Sequence, residues 1–316
     1  MKLRIRLRYT ALAALIGLLT FPGALTSRGG AAAPIPKGSP PAIVGIAHVA
    51  LRTGNRAAAL HFYSRVLGFD PVLEVKDPTT GVSRTFFKVN DHQYIEVVPD
   101  LRSPDEDRLI NIGFETTDAR ALRQFLSQKG AADLGEVRRT RVGDLGFMVR
   151  DPEGHPIEFV QYLDDSQLGH DFGKDLSTRR ISTRIIHAGI TVRDRAAEDR
   201  FYKNDLGFSV MWYGGMTDSE TDWVDMRVPN GSDWLEYMLN VHHPTPRTLG
   251  VMHHLALGVP SVEKAYEEVV RRGLNPQKPK IGRDGKWQLN LYDPDGTRVE
   301  LMEPKPVRTP CCSPML

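Results

Sequence analysis

Three histidines and four glutamates recur at matched positions in this chain. His48, His187 and His254 each sit in a short β-like run, and Asn111 takes the same place in a fourth. Glu96, Glu158, Glu236 and Glu300 follow 46 to 49 residues later, each in an apolar, strand-like context such as Tyr94-Ile95-Glu96-Val97-Val98. A carboxylate in such a strand is costly to bury unless something pairs with it. Imidazole and carboxylate together suit divalent ions such as zinc, iron, nickel and manganese. Alternate residues of a strand share a face, so one ligand per strand aims several side chains at one ion from a rigid scaffold. The candidate metal ligands are therefore His187, Glu236, His254 and Glu300. His48, Glu96 and Glu158 form a weaker second set, because Asn111 replaces a histidine. His253 precedes His254, but His254-Leu255-Ala256-Leu257 is the segment that aligns with His187-Ala188-Gly189-Ile190.

The elements that must carry these residues come from a repeat. Phe62-Tyr63-Ser64-Arg65-Val66-Leu67-Gly68-Phe69 matches Phe201-Tyr202-Lys203-Asn204-Asp205-Leu206-Gly207-Phe208 at an offset of 139, which His48 and His187 share. Asp151-Pro152-Glu153-Gly154 matches Asp293-Pro294-Asp295-Gly296 at an offset of 142, each before an apolar strand bearing a glutamate. The second half thus repeats the first. Each half divides again, because four β-like runs (Ile46 to Leu51, Ile110 to Phe114, Ile185 to Val192, His254 to Val259) each lead into a helix-like stretch. Those stretches end at Gly68, Gly130, Gly207 and Gly273, as expected of helix C-caps. The unit reads strand, helix, then about three short strands, four times over.

Composition bounds the class. The chain has 316 residues, 25% charged and 41% hydrophobic, as in ordinary globular proteins, and its length predicts about two domains. Residues 1–33 carry five basic groups and no acid, and the remainder has 36 basic against 39 acidic residues, a net −3. Near-neutrality gives no footprint for nucleic acid. Four basic residues, an apolar run from Tyr9 to Leu19 and then small residues read as a secretory signal over 1–33, implying export and no membrane partner once it is removed. A Pro-rich tether, 34–42, follows. The two cysteines, Cys311 and Cys312, are adjacent in a Pro-rich tail, where a bridge forms only with strain. A disulfide framework and a Cys-rich zinc site are both excluded, so a hydrophobic core must hold the fold.

With these features the sequence resembles the vicinal oxygen chelate superfamily, which includes glyoxalase I, bleomycin-resistance proteins, methylmalonyl-CoA epimerase and extradiol dioxygenases. The resemblance rests on the fourfold unit, the first-strand His, the helix ending in Leu-Gly-Phe and the Asp-Pro-x-Gly turn before the last-strand Glu. It implies an α+β fold of four βαβββ modules paired into two cup-shaped curved sheets. An N-terminal domain, 43–163, would hold modules 1 and 2, and a C-terminal domain, 183–304, modules 3 and 4. A connector, 164–182, would join them, and a tail, 305–316, would end the chain. Each cup could enclose a metal.

Within the superfamily, the set His187, Glu236, His254 and Glu300 is similar to that of glyoxalase I. This implies one divalent metal (zinc, nickel, cobalt, manganese or iron) chelating two adjacent oxygens of a small-molecule substrate. Glu236 or Glu300 would move a proton, in a lyase or isomerase acting as monomer or homodimer. The alternatives are an iron-dependent ring-cleaving dioxygenase and a ligand-sequestering protein of the bleomycin-resistance type. Dioxygenases use two His and one Glu, which His187, His254 and Glu300 supply. They also carry a catalytic Tyr three residues before the final Asp-Pro-x-Gly, where this chain has Asn290, and a nearby His, whereas no His lies beyond Gly258. A ligand binder would line its pocket with aromatic residues such as Trp212, Tyr213, Trp223 and Trp234.

Overall fold

Every predicted first strand is present, the first two slightly longer than their apolar runs and the last two one residue shorter. They are β1 (Ile43–Arg52), β5 (Leu109–Thr116), β9 (Ile185–Thr191) and β13 (His254–Gly258). These belong to a computed structural model that describes residues 39–316; the signal-like segment and most of the tether lie outside the described residues. Each first strand leads into a helix. These are α1 (Arg56–Leu60, continued by a π-helical turn His61–Val66), α2 (Ala119–Gln128), α4 (Arg195–Glu198, continued by a π-helical turn Asp199–Asp205) and α6 (Val262–Arg271). Asn55, Asp118, Asp194 and Ser261 cap them, each side chain accepting a backbone N–H three residues on. Gly68, Gly130, Gly207 and Gly273 all end these helices at φ of +78° to +94°, a conformation that favours glycine.

Three strands complete each module. In module 1 they are β2 (Pro71–Lys76), β3 (Ser83–Asn90) and β4 (Gln93–Val98), and in module 2 β6 (Arg138–Arg139), β7 (Leu145–Arg150) and β8 (Pro156–Gln161). Module 3 has β10 (Ser209–Gly214), β11 (Trp223–Arg227) and β12 (Trp234–Met238), and module 4 has β14 (Lys280–Ile281), β15 (Trp287–Tyr292) and β16 (Arg298–Met302). Two short helices, α3 (Gln167–His170) and α5 (Pro246–Met252), lie in the connections. The first eight strands form one sheet, ordered β2-β3-β4-β1-β5-β8-β7-β6. The second eight form another, ordered β10-β11-β12-β9-β13-β16-β15-β14. The two sheets are therefore the same figure drawn twice, the α+β architecture the repeat implies.

The repeated motifs join the two halves reciprocally. Tyr63, on the helix of module 1, donates its hydroxyl to Asp293 in the turn of module 4 at 3.1 Å, and Tyr202, in module 3, donates to Asp151 of module 2 at 3.1 Å. The carboxylates two residues further along those turns bond backbone of the opposite half. Asp295 accepts from Gly54 N–H, and Glu153 accepts from the N–H groups of Arg193 and Asp194, at the loops that start the opposite helices. Each buried hydroxyl-to-carboxylate bond contributes about 1.5–3 kcal/mol. Beside them Gln93 of one half bonds the Ile185 backbone through both ends of its amide and reaches Asp233 of the other.

Between the sheets lies the continuous apolar core, which includes Phe62, Phe87, Phe114, Phe159, Phe208 and Tyr237. Cys311 and Cys312 are bridged to each other. The bridge closes no loop between elements, so burial of the core still carries the fold.

Candidate metal centre

His187 enters the C-terminal cup from β9, Glu236 from β12, His254 from β13 and Glu300 from β16. The register makes this a necessity of the sheet. Glu236 and His254 both pair with Gly189, while Ala256 pairs with both His187 and Glu300, so the four residues lie on the four central strands. Gly189 has a spatial role, because a methyl group there would collide with the His254 ring. Gly113 has the same role under His48 in the other cup.

The four side chains converge through single atoms. His187 Nε2 and His254 Nε2 are 3.0 Å apart. Glu300 Oε2 lies 3.5 Å from the first and 3.8 Å from the second. Glu236 Oε2 lies 3.9 Å and 3.3 Å from the same two nitrogens. Ligands bound at about 2.0–2.2 Å to one ion stand roughly 3.0–3.5 Å from one another, so this set fits a divalent metal with modest contraction. His187, His254 and Glu300 form one candidate metal group, their ligand atoms within 4.8 Å of one another, and Glu236 lies as near the two nitrogens as Glu300 does.

The surroundings suit the same role. His254 Nδ1 donates to the Met252 carbonyl at 2.7 Å, which directs the Nε2 lone pair inward, as in metal-bound imidazoles. Burial and the Arg298 charge lower the His254 pKa to about 4, leaving a neutral imidazole. Burial pushes Glu236 up, but the contacts of its carboxylate with the two histidines and the Arg298 charge outweigh it and hold Glu236 at about 2. Glu300 is lowered in the same way against its burial, first by His187. Arg298 Nη2 lies 2.7 Å from His254 Nε2 and 3.9 Å from Glu236. A bound ion would therefore require that guanidinium to turn aside.

Above these groups opens a cavity of about 280 Å³, with Trp212, Trp223 and Trp234 in its wall. Tyr213 is exposed instead and does not line it. Asp225 was not foreseen from sequence. It pairs with Glu236 across β11 and β12, has an unpartnered buried oxygen, and is pushed well up by burial and by the Glu236 charge. Its signal was an acid in an apolar strand, Trp223-Val224-Asp225-Met226. Asn290, in the place of a dioxygenase tyrosine, pairs with Glu300 in the sheet and also lines the cavity. His253 turns away to Asp107 and Thr191.

The C-terminal tail contacts residues that line this cavity. The Cys311 carbonyl accepts from Trp212 Nε1, its N–H bonds the Arg283 carbonyl, and Met315 packs on Met211, Trp234 and Met302. The tail thus spans both edges of the second sheet.

A profile for the glyoxalase/bleomycin resistance protein/dioxygenase superfamily matches residues 45–159 and again 184–301. The chain belongs to this superfamily. No curated protein sequence matches it significantly. Among solved structures, this superfamily member is similar to homoprotocatechuate 2,3-dioxygenase from Brevibacterium fuscum in its anaerobic complex with 3,4-dihydroxyphenylacetate. The identity is 19% and the TM-score 0.60, covering 89% of this chain and 87% of that one. A room-temperature structure of an extradiol ring-cleaving dioxygenase from B. fuscum gives 19% identity and a TM-score of 0.61, over 85% and 74%. At that identity the likeness is one of fold.

The N-terminal cup brings His48, Glu96 and Glu158 together differently. Glu96 lies 3.5 Å from His48 Nδ1, whereas Glu158 lies 3.4 Å from Nε2. The carboxylates thus flank opposite sides of one ring and do not share an ion-sized centre. Arg84 is hydrogen-bonded to Glu96, and the Asn111 amide is 2.7 Å from His48 Nε2. Two other groupings of possible ligands occur among the described residues. Asp151, His155 and Glu198 belong to the seam beside Tyr202, and Asp218 faces cysteines already bridged to each other.

Proposed function

We propose that this protein is a mononuclear metal-dependent enzyme whose single metal site is the C-terminal cup. The convergence of two imidazole nitrogens and two carboxylate oxygens within 3.0–3.9 Å carries this reading. His187, His254 and Glu300 hold the ion. The ion supplies Lewis acidity to a substrate with two adjacent oxygens. Glu236, an ionised carboxylate on the substrate side of the trio, accepts the proton that leaves the substrate. Asp225, buried and protonated beside it, returns one. The tryptophans of the wall exclude water and favour a flat or apolar substrate body. The signal-like composition of residues 1–33 supports a reading in which the protein is exported.

A second reading, an iron-dependent ring-cleaving dioxygenase, is favoured by one observation. The candidate metal group His187, His254 and Glu300 is two histidines and one carboxylate, the ligand set of non-haem iron oxygenases. The absent Tyr and His argue for the first reading.

The test is the metal content of protein purified under argon, beside the His254→Ala/Glu300→Ala double variant. About one equivalent per chain, lost in the variant, is expected. No metal in either protein after reconstitution would overturn the proposal. Iron, together with oxygen consumption on catechols, would select the second reading. Solvent deuterium entering an α-hydroxycarbonyl substrate without oxygen would select the first.

A further inference from the structure

The N-terminal cup encloses a cavity of about 440 Å³, larger than the one over the proposed metal site. That volume is within the roughly 300–1,000 Å³ typical of small-molecule sites. Its walls are a separate apolar cluster of Phe86, Tyr94, Val142 and Leu168, with Tyr162 packed against it. This cluster is not part of the core between the sheets, so it faces the cup.

Three polar features stand at defined places in this apolar space. At the floor, Glu158 Oε2 is engaged by Asn111 and His48, while its other oxygen has no hydrogen-bond partner among the described residues. In the wall, the Tyr94 hydroxyl is buried and unpartnered, although the residue is only 1% exposed. At the rim, Arg139 and Arg141 are paired with Asp165 and Asp77, but Arg138 has no ion-pair partner among the described residues. The cation that would be needed between His48 and Glu96 is already provided by Arg84.

We infer that the N-terminal cup is a second, metal-free site for a small aromatic ligand. The ligand carries a hydroxyl or amino donor at its inner end, facing Glu158 and Tyr94, and an acidic group at its outer end, facing Arg138. The open Glu158 oxygen accepts from the inner donor, and the unpartnered Tyr94 hydroxyl donates to that same group. A flat ring fits between Phe86 and the two tyrosines. The other cup offers no such arrangement, since Trp223 stands where Arg84 does and its floor is the four-ligand cluster.

The probe is 4-hydroxycinnamate, titrated calorimetrically into the full chain after chelator treatment, with cinnamate as the analogue lacking the inner donor. Binding of 4-hydroxycinnamate at roughly 1 mM or tighter is expected, with a loss of about tenfold or more for cinnamate and for Arg138→Glu. The surface substitution leaves the floor intact, and Glu158→Gln tests the floor itself. His254→Ala, in the other cup, should leave the titration unchanged. No binding of the probe, or binding that survives Arg138→Glu and Glu158→Gln but is lost in His254→Ala, would overturn the inference. So would a bound metal equivalent that persists in the His254→Ala/Glu300→Ala protein. That last result would leave the C-terminal reading to be judged by its own ligand variants.

Discussion

Asp293 connects the seam between the halves to the metal strand, since its turn leads directly into β16 and Glu300. Its carboxyl is buried and accepts the Tyr63 hydroxyl and the N–H groups of Asp295 and Thr297. Burial, with the Asp295 charge adding to it, outweighs these donors and pushes the pKa up to about 6. In an unfolded chain an aspartate titrates near 3.9, so folding favours the protonated form. The stability this group contributes is therefore complete below about pH 4 and lost as pH rises through about 6. A difference of about two units at about 1.36 kcal/mol each corresponds to roughly 3 kcal/mol. Asp293→Asn keeps an acceptor for the backbone donors and cannot ionise. Urea unfolding of both proteins in chelator, at steps from about pH 4 to 8, gives the comparison. The variant should gain on the parent by about 3 kcal/mol between about pH 4 and 7 and stay level above. Parallel curves, or a variant that loses ground as pH rises, would refute the burial argument.

Glu236→Gln should keep the metal, which His187, His254 and Glu300 still hold, while turnover falls about 10²–10⁴-fold; metal analysis beside a rate measurement checks the split. Tyr202→Phe removes the hydroxyl bonded to Asp151 and should cost about 1.5–3 kcal/mol in denaturant unfolding. Its counterpart Tyr63→Phe should cost a similar amount, because the two bonds are reciprocal. Truncation after Glu303 removes the tail that contacts the second cup, so acrylamide should quench tryptophan fluorescence more strongly while the metal content is unchanged.

Much of this arrangement is visible in the sequence because the chain repeats. A helix that ends in Leu-Gly-Phe twice and a turn Asp-Pro-x-Gly that occurs twice locate the modules, and the strands follow from the apolar runs. The purpose of the motifs is not visible there. Tyr63 and Asp293 are 230 residues apart, and only the folded chain shows that each motif serves the opposite half. Arg298 and Arg84 were missed for a related reason. Neither recurs in the aligned position, where Pro156 and Trp223 stand, so a search for shared residues passes over both. The tail was legible only as a Pro-rich end, since its contacts are with backbone groups of distant strands and with side chains that carry no sequence signal.

The two cups show how one scaffold separates two chemistries. Their registers are equivalent: Tyr94 pairs with His48 as Trp234 pairs with His187, and the glutamate lies two residues beyond in each. Asn111 and His254 likewise stand two residues before the partners of Glu158 and Glu300. What differs is where the positive charge resides. In the first cup it is covalently attached, as Arg84 on Glu96, and the lone histidine turns its two nitrogens to two different carboxylates. In the second, a second histidine replaces Asn111, both imidazoles are directed to the same two oxygens, and Arg298 stands beside the cluster. Two carboxylates beside one guanidinium leave an excess of negative charge that burial makes expensive and that a divalent cation would relieve. In the first cup the guanidinium is hydrogen-bonded directly to its carboxylate, Arg84 to Glu96, whereas Arg298 stands 3.9 Å from Glu236 in the second. Ligand type alone therefore does not distinguish the two cups; the number of nitrogens that share the same oxygens does.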